Sequence, residues 1–340
     1  MSERLEYTAY AARALAGEAT TRTQALALLA APDDDLRAML LAAFTVRECH
    51  FGRGVKLCML RNARSGLCSE DCHYCSQSSL SEAAIDTYRL LPEETLVEGA
   101  RAAVARGARR YCMVTSGRGP SARDIAQLSA TVRAIKREFP ALEICLSLGI
   151  LDEGQAHELK AAGVGWVNHN LNTSERFHAA ICTTHTYADR VRTVLAVKRA
   201  GLATCCGGII GMGESDDDIV DLAFALRELA VDALPVNFLH PIEGTPLGDS
   251  TSVTVAKALK ALCLFRFTNP ASEIRAAGGR ERNLGAWQAL ALYPANSLFI
   301  EGYLTTGGLA AEPTRRMVEA LGFSVVEYEE ETSLGACSGA

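Results

Sequence analysis

The sequence predicts an α/β protein: a (β/α)8 barrel of the TIM type that follows an N-terminal helical cap. From residue 54 onward, short apolar runs alternate with amphipathic stretches, which is typical of a parallel sheet with crossover helices. Eight apolar runs are present, and eight parallel strands can close into a barrel. Periodicity alone leaves a doubly wound open sheet as the alternative. The chain of 340 residues, 49% of them hydrophobic, is long enough to fill one large core.

The predicted elements follow one another in a regular order. Residues 1–50 are rich in Ala and Leu, and the break at Pro32 and the three aspartates after it predicts two or three cap helices. The predicted strands are VKLCML (55–60), RYCMV (110–114), EICLSLG (143–149), GWVNHNL (165–171), ATCCGGIIG (203–211), ALPVNFL (233–239), SEIRAAG (272–278) and SLFIEGY (297–303). The main predicted helices lie at 93–107, 121–138, 153–162, 187–200, 215–230 and 253–266.

These elements divide the chain into a cap (1–50), a barrel (51–325) and a flexible tail (326–340). The tail is first acidic and then rich in small residues, which is typical of a frayed terminus. Cys337 within it is expected to be an exposed thiol without a function.

Charge, hydropathy and cysteine content narrow the class of protein. The net charge of -6 comes from interspersed charges without a basic stripe, so no nucleic-acid partner is expected. No apolar run reaches the ~18 residues of a membrane span, and the N-terminus lacks the basic and apolar segments of an export signal. Twelve cysteines without such a signal fit a reducing compartment in which thiols bind metal or pack in the core. We therefore expect a cytoplasmic protein without membrane contact.

Three closely spaced cysteines form the most informative motif. Cys68, Cys72 and Cys75 lie within SGLCSEDCHYCSQS (65–78), and no second CxxC pair occurs elsewhere to complete a four-ligand zinc site. Thiolates are also the ligands of iron–sulfur clusters. Three of them around a four-iron cluster leave one iron without a protein ligand, where a substrate or cofactor can bind.

The spacing C-x3-C-x2-C, with Tyr74 directly before the last cysteine, resembles the cluster loop of the radical S-adenosylmethionine superfamily. Within it, the string CSEDCHYCSQS is similar to the biotin synthase family, and the likeness extends over residues 54 to about 310. The resemblance implies a complete barrel. It also implies that Cys68, Cys72 and Cys75 hold a 4Fe–4S cluster that binds S-adenosylmethionine and generates a 5'-deoxyadenosyl radical.

Polar residues inside the predicted strands indicate a second centre. Each cysteine alone is more often a small buried hydrophobe, but residues of matching alternation converge in the lumen of a barrel. The strings RYCMVTSGRGP, EICLSLGIL, TCCGGIIGMGE and EIRAAGGRE resemble the family segments that hold an auxiliary cluster, expected to be 2Fe–2S. The residues so assigned are Cys112, Cys145, Cys205 and Arg275. Arginine is an unusual metal ligand, and its role depends on the resemblance alone.

The doublet at Cys205 and Cys206 leaves the choice of ligand open, because neighbouring strand residues point to opposite faces and only one can face the lumen. We select Cys205 and place Cys206 in the barrel wall, packed against a helix.

Glycine-rich strings at strand ends predict the cofactor site. TSGRG (115–119) follows the second predicted strand, and GGIIGMGE (207–214) resembles the adenine-contact motif of the superfamily; a strand bulge and a helix cap are the alternatives for its glycines. Arg190 matches a family arginine expected to hold the cofactor carboxylate, the alternative being a solvated helix residue. The predicted cofactor contacts are Thr115, Ser116, Gly117, Asn170, Asn172, Arg190, Gly207, Ile209 and Gly211.

Asparagines in the fourth and sixth predicted strands are the candidate substrate contacts. Asn168, Asn170 and Asn172 alternate in NHNLNTSE, so all three should project from one face of an extended segment; a strand-end turn is the alternative. By resemblance this amide-rich string contacts the cofactor ribose and the ureido ring of the substrate. Asn168, Asn170 and Asn237 are assigned to the substrate. The histidines His73, His169, His185 and His240 lack metal-ligand spacing and are expected to pack or hydrogen-bond.

The resemblance implies sulfur insertion that converts dethiobiotin to biotin, with sulfur from the auxiliary cluster. It further implies a flavodoxin- or ferredoxin-type electron donor and a homodimer. Two alternatives remain: another radical enzyme of the same subfamily, such as a hydrogenase-cofactor maturase or a methylornithine synthase, and a non-enzymatic iron–sulfur sensor.

Overall fold

The computed structural model describes residues 6–326, and its strands close into a parallel barrel. The strands are β1 (Gly54–Arg64), β2 (Arg110–Thr115), β3 (Glu143–Ser147), β4 (Trp166–Asn168), β5 (Ala203–Cys205), β6 (Gly208–Ile210), β7 (Ala233–Phe238), β8 (Glu273–Ala276), β9 (Ser297–Ile300) and β10 (Ser324–Val325). β1 pairs in parallel with both β2 and β9, which closes the sheet. β5 and β6 share the fifth position, because both pair with β7. The predicted barrel is confirmed, and the open sheet is wrong.

The fourth and fifth predicted strands are shorter than expected. The fifth run divides between Cys205 and Gly208, where a Cβ on Gly207 would lie 1.9 Å from the carbonyl oxygen of Pro235. The backbone of β7 thus approaches too closely for any other residue. The fourth run ends at Asn168, and beyond it the side chain of Asn170, through Oδ1, accepts from the N–H of Gly207 at 3.0 Å. Asn172 then takes a left-handed conformation (φ 71°), which asparagine tolerates better than most residues.

Helices alternate with the strands as predicted. Their bounds are α1 (Tyr7–Leu15), α2 (Arg22–Ala30), α3 (Leu36–Phe51), α4 (Glu93–Ala105), α5 (Ala122–Glu138), α6 (Glu153–Ala161), α7 (Glu175–His178), α8 (Tyr187–Arg199), α9 (Asp216–Glu228), α10 (Val255–Thr268), α11 (Arg280–Leu284) and α12 (Ala311–Ala320), with 3-10 turns at Asp33–Asp35 and Gly285–Leu292. Capping boxes begin four of the crossover helices, at Ser121, Asp152, Thr186 and Ser215. Such caps satisfy backbone N–H groups that the first turn leaves free.

The N-terminal helices pack on the barrel helices. α3 contacts α1 and α10, and α2 contacts α9 and α10. Leu28, Met39 and Val46 are fully buried in the same core as the barrel's apolar residues. The predicted boundary at residue 50 stays a prediction. Of the predicted tail, residues 327–340, with Cys337, lie outside the described residues.

None of the helices within residues 6–326 has both the length and the apolar composition that crossing a membrane requires.

Candidate functional site

A cavity of about 390 Å³ opens at the carboxyl ends of the strands, where barrel enzymes place their sites. The loop after β1 contributes Cys68, Cys72 and Cys75 to its lining, and the strands contribute a second set of thiols with Arg275. The lining thiols of the second set are Cys112, Cys145 and Cys205. The structure therefore brings both predicted ligand sets to one cavity.

Hydrogen bonds shape the loop that carries the first three thiols. The N–H of Cys75 donates to the carbonyl of Cys72, and that of Ser78 to the carbonyl of Cys75, each at 3.1 Å. Asp71 fastens the loop to the segment after α7, because its carboxylate accepts from the N–H groups of Thr183 at 2.9 Å and Thr184 at 3.2 Å. The loop is thus held at both its inner turn and its outer edge.

Neither predicted thiol set has the geometry of a single-ion site. Within residues 6–326, one group of three or more His, Cys, Asp or Glu side chains has all its ligand atoms within 4.8 Å of one another: Cys72, Cys182 and His185. Cys68, Cys72 and Cys75 are not such a group, and neither are the strand thiols. A tetrahedral single ion holds its sulfur ligands about 4 Å apart. At least one pair of sulfurs in each set is therefore more than 4.8 Å apart. A cluster of several irons can bridge such a distance, because its thiolate ligands need not all bind one metal atom.

The strand thiols meet inside the barrel. β2 and β3 place Cys112 opposite Cys145, and β5 places Cys205 opposite Asn168. All three thiols are at most 5% exposed and pack together. The Cys145 thiol hydrogen-bonds with Cys112 and Cys205, which raises the pKa of Cys145 well above its usual value. The same contact lowers the pKa of Cys205 to about 5.

Arg275 lies beside these thiols. Its Nη1 is 3.5 Å from Sγ of Cys205, and its Nε donates to Oγ of Ser297 at 3.0 Å. Burial opposes the charge, but Cys58, Glu273 and Cys205 together raise the pKa of Arg275 well above its ordinary value. The guanidinium is therefore a positive charge that faces the thiols.

A buried ionic network lies at the amino ends of the strands, beneath the thiols. Nη1 and Nη2 of Arg110 donate to the two carboxylate oxygens of Glu273, each at 2.9 Å. Glu273 also pairs with Arg275 and lies 3.2 Å from Nζ of Lys56. The Arg110 guanidinium stacks on the ring of Trp166 at 3.7 Å. Glu273 thus contacts three cations below the second thiol set, and Glu143 pairs with two of them, Arg110 and Lys56.

Two further buried thiols differ in their placement. Cys206 belongs to the main apolar core, whereas Cys205 belongs to the thiol cluster.

Cys58, in β1, lies 3.5 Å from Oγ of Ser297, which also accepts from Arg275. Sequence reasoning did not single out Cys58. Its alternation with Leu60, which packs on the thiol cluster, is the signal that could have identified it.

The asparagines line the cavity, but not along one extended face. β4 ends at Asn168, which donates to Oδ1 of Asn170 at 3.1 Å, whereas Asn172 donates to the hydroxyl of Tyr74 at 2.5 Å. The prediction of an extended segment over all three asparagines is wrong, because β4 ends at Asn168 and the backbone at Asn172 is left-handed. Asn237, in β7, also lines the cavity.

The cavity carries polar atoms that still need partners. The predicted cofactor contacts that line it are Thr115, Ser116, Gly117, Asn170, Asn172, Arg190 and Ile209. Oγ1 of Thr115, Nε of Arg190 and Nε2 of the lining residue His169 are buried there without a hydrogen-bond partner. A buried polar atom without a partner costs about 1–3 kcal/mol. These donors and acceptors fit a polar ligand with an anionic group.

Gly207 and Gly211 are not among the residues that line the cavity. Gly207 lies where the backbone of Pro235 leaves no space for a Cβ atom, and Gly211 (φ +104°) begins a turn. The carboxylate of Glu214 closes that turn by accepting from the N–H groups of Gly211 and Met212, each at 2.7 Å. Of the two alternatives, a strand bulge describes Gly207, whereas a helix cap does not describe Gly211, because Ser215 caps α9. Cofactor contact at either glycine stays a prediction.

A group that sequence reasoning missed lies against the first loop. Sγ of Cys182 is 3.8 Å from Sγ of Cys72, and Nδ1 of His185 is 2.5 Å from Oε2 of Glu70. The Cys72 thiol donates to Cys182, which lowers the pKa of Cys182 to about 4. Cys72 and Cys182 are 110 positions apart, so no local spacing could have indicated the contact.

Comparison with known proteins agrees with the site. Residues 64–226 match the family model of the Radical SAM superfamily, and residues 235–324 match that of the Biotin and Thiamin Synthesis associated domain. The chain is 51% identical to the biotin synthase of Magnetococcus marinus over 318 residues, which are 94% of this chain and 99% of the relative. It is 49% identical to the biotin synthase of Bacillus subtilis over 327 residues, which are 96% of this chain and 97% of the relative.

Solved structures share the fold at low sequence identity. The crystal structure of methylornithine synthase has a TM-score of 0.82 at 20% identity, covering 94% of this chain and 98% of that chain. The FeFe-hydrogenase maturase from Carboxydothermus hydrogenoformans has a TM-score of 0.80 at 17% identity, covering 98% of this chain and 82% of that chain. These neighbours establish the barrel and nothing finer.

Proposed function

The chain belongs to the biotin synthase family of radical S-adenosylmethionine enzymes, and from this premise we propose that it converts dethiobiotin to biotin by inserting sulfur. One structural observation supports the proposal most directly. Two separate thiol sets, one on a loop and one on the strands, line a single cavity. A radical enzyme that only abstracts hydrogen needs the loop set, whereas an enzyme that also delivers sulfur needs a second centre within reach of the same substrate.

The two thiol sets receive different roles. Cys68, Cys72 and Cys75 would hold the 4Fe–4S cluster, with one iron left for the cofactor. The residues that would hold the auxiliary 2Fe–2S cluster are Cys112, Cys145, Cys205 and Arg275. When bound, these groups and S-adenosylmethionine supply a carbon radical and a transferable sulfur atom.

The chain's own residues bind and orient the organic ligands. Arg190 anchors the cofactor carboxylate. Its Nη1 donates to the carbonyl of Asn170 at 2.8 Å, which fixes the side chain, and its Nε remains free to donate a hydrogen bond to the carboxylate. Ile209 packs with Met212 in an apolar cluster suited to the flat face of adenine. Thr115, Ser116 and Gly117 supply polar and backbone groups at the end of β2.

Two asparagines are oriented before the substrate arrives. Asn168 accepts from Ser147 at 3.2 Å and donates to the carbonyl of Cys205 at 3.1 Å. Asn237 donates to the carbonyl of Gly208 at 3.1 Å and accepts from the N–H of Gly278 at 3.0 Å. Amides fixed in this way can pair with the N–H and C=O groups of a ureido ring without first losing side-chain freedom. Asn170 completes the proposed substrate contacts.

The proposal includes a flavodoxin- or ferredoxin-type electron donor, a homodimer and a cytoplasmic location. Family membership is the support for each. Light scattering of the purified chain tests the dimer, since a mass of one chain in solution would contradict it.

The test of the function is a product analysis. The chain, reconstituted anaerobically with iron and sulfide and then reduced, receives S-adenosylmethionine and dethiobiotin. Mass spectrometry should find a product that has gained one sulfur and lost two hydrogens, with two molecules of 5'-deoxyadenosine for each product. Release of 5'-deoxyadenosine without any sulfur-containing product would refute sulfur insertion and favour another radical reaction.

A further inference from the structure

We propose that the cluster-free chain binds one thiophilic divalent cation of the zinc class at Cys72, Cys182 and His185. The site differs from both thiol sets described above. It takes Cys72 from the cluster loop and two residues from the segment between α7 and α8. Its existence does not depend on the proposed function; only its consequence for cluster assembly does.

The distances match those of a tetrahedral ion. Sγ of Cys72 and Sγ of Cys182 are 3.8 Å apart, and Sγ of Cys182 is 3.6 Å from Nε2 of His185. With Zn–S bonds of ~2.3 Å and Zn–N bonds of ~2.0 Å, tetrahedral geometry separates two sulfurs by about 3.8 Å and a sulfur from a nitrogen by about 3.5 Å. One ligand atom from each residue lies within 4.8 Å of the other two. Nδ1 of His185 is also near Sγ of Cys182, at 3.3 Å, but the Glu70 carboxylate occupies that nitrogen. No large rearrangement is therefore needed to bind the ion.

A carboxylate orients the histidine. Oε2 of Glu70 is 2.5 Å from Nδ1 of His185, and both residues are buried. In the neutral ring this contact places the proton on Nδ1 and leaves the lone pair on Nε2. A carboxylate behind a metal-binding imidazole is the usual arrangement in zinc sites, where it fixes the ring and makes it a better donor.

The thiols are held in place as well. Oδ1 of Asp71 lies 3.1 Å from Sγ of Cys182 and is itself fixed by the N–H groups of Thr183 and Thr184. The ion would bind both sulfurs as thiolates, so the dication and two thiolates form a neutral core. Three protein ligands leave the fourth position to a water molecule.

The shared ligand gives the site a consequence. Because Cys72 is also a proposed ligand of the 4Fe–4S cluster, the ion and the cluster exclude each other. Zinc binds nitrogen and sulfur ligands more tightly than ferrous iron does. A chain that meets zinc before iron would therefore be blocked from assembling the cluster.

Cobalt binding to the cluster-free, full-length chain under anaerobic conditions tests the site. We expect one Co²⁺ per chain with a thiolate-to-cobalt charge-transfer band, and Zn²⁺ should displace the cobalt. Cys182→Ala and His185→Gln should weaken binding at least tenfold. Glu70→Gln should weaken it by about 10–100-fold, as is usual when the partner of a ligating histidine is lost.

Cys68→Ala is the matched control, because it removes a thiol of the same loop that lies outside the proposed site. It should leave cobalt affinity unchanged. Circular dichroism of each metal-free variant shows whether the chain is still folded, and an unfolded variant is replaced by Cys182→Ser. Equal weakening by Cys68→Ala and Cys182→Ala, or a wild-type spectrum without the thiolate band, would overturn the proposal.

Iron uptake tests the consequence. Zinc added before reconstitution should lower the iron content of the wild type and leave that of Cys182→Ala unchanged. Equal iron content in zinc-treated and untreated wild type would refute the competition for Cys72. None of these measurements involves dethiobiotin, so failure of the sulfur-insertion assay and failure of the metal site are told apart.

Discussion

Glu273→Gln tests whether one carboxylate maintains the charge balance beneath the strand thiols. Glu273 is 5% exposed, accepts two hydrogen bonds from Arg110 at 2.9 Å, and pairs with Lys56 at 3.2 Å and with Arg275. A glutamine fills nearly the same volume but carries no charge. The substitution would leave two buried cations, Arg110 and Arg275, and the half-buried Lys56; Glu143 would still pair with Arg110 and Lys56.

The expected cost follows from the loss of one partner in a buried ion pair, about 3–5 kcal/mol. An unfolding entropy of ~2.1 cal/mol/K per residue gives ~0.7 kcal/mol/K for 340 residues. The melting temperature should therefore fall by about 4–7 °C relative to the wild type. Thermal unfolding of both cluster-free chains, followed by circular dichroism at one scan rate, measures this difference.

Glu138→Gln is the matched control. Glu138 also receives two hydrogen bonds from one arginine, Arg101, but the pair is exposed. Solvent screens an exposed pair, so the control should leave the melting temperature nearly unchanged. If Glu273→Gln lowers it no more than Glu138→Gln does, the buried network is not a source of stability and the reasoning fails.

Three further predictions use the same contacts. Cys72→Ala should abolish cleavage of S-adenosylmethionine, whereas Cys145→Ala should retain cleavage and lose sulfur transfer with part of the iron; equal losses in both assays would contradict two separate centres. Arg190→Gln should weaken S-adenosylmethionine binding by about 1.5–3 kcal/mol, the contribution of a charge-assisted hydrogen bond, and equilibrium dialysis showing unchanged affinity would exclude that contact. Burial opposes ionisation of Glu273, but Arg110, Lys56 and Arg275 hold its pKa well below the ordinary value. The ionised carboxylate therefore stabilises the fold fully above the unfolded-state pKa of ~4.3, and this stabilisation is lost as the pH falls through the lower pKa of the folded state. The stability gap between wild type and Glu273→Gln should thus be constant from neutral pH to about pH 5 and narrow in stronger acid, and a gap that widens there would contradict the assignment.

The barrel could be predicted because its strands are contiguous apolar runs, which local periodicity detects. Its interruptions could not. The break at Gly207 depends on the approach of Pro235, and beyond β4 the side chain of Asn170 accepts from the N–H of Gly207. Both features depend on contacts between strands that are distant in sequence, and a pattern of residues along one segment does not show such contacts.

Some thiols of the site could be predicted from the sequence and one could not. Alternation allowed strand thiols to meet in the lumen, and the family resemblance selected Cys112, Cys145 and Cys205. The structure packs these three together. Cys182 had no such signal, because its contact with Cys72 joins two loops that are distant in sequence. A contact between irregular segments has no periodicity from which it could be inferred.

The origin of the inserted sulfur tests the central claim most directly. The chain is reconstituted with sulfide enriched in a heavy sulfur isotope, freed of unbound sulfide, reduced and given dethiobiotin with S-adenosylmethionine. If the strand thiols hold a cluster that donates its sulfur, the biotin formed in the first turnover carries the heavy isotope. First-turnover biotin with sulfur of natural abundance would contradict a protein-bound donor in the shared cavity.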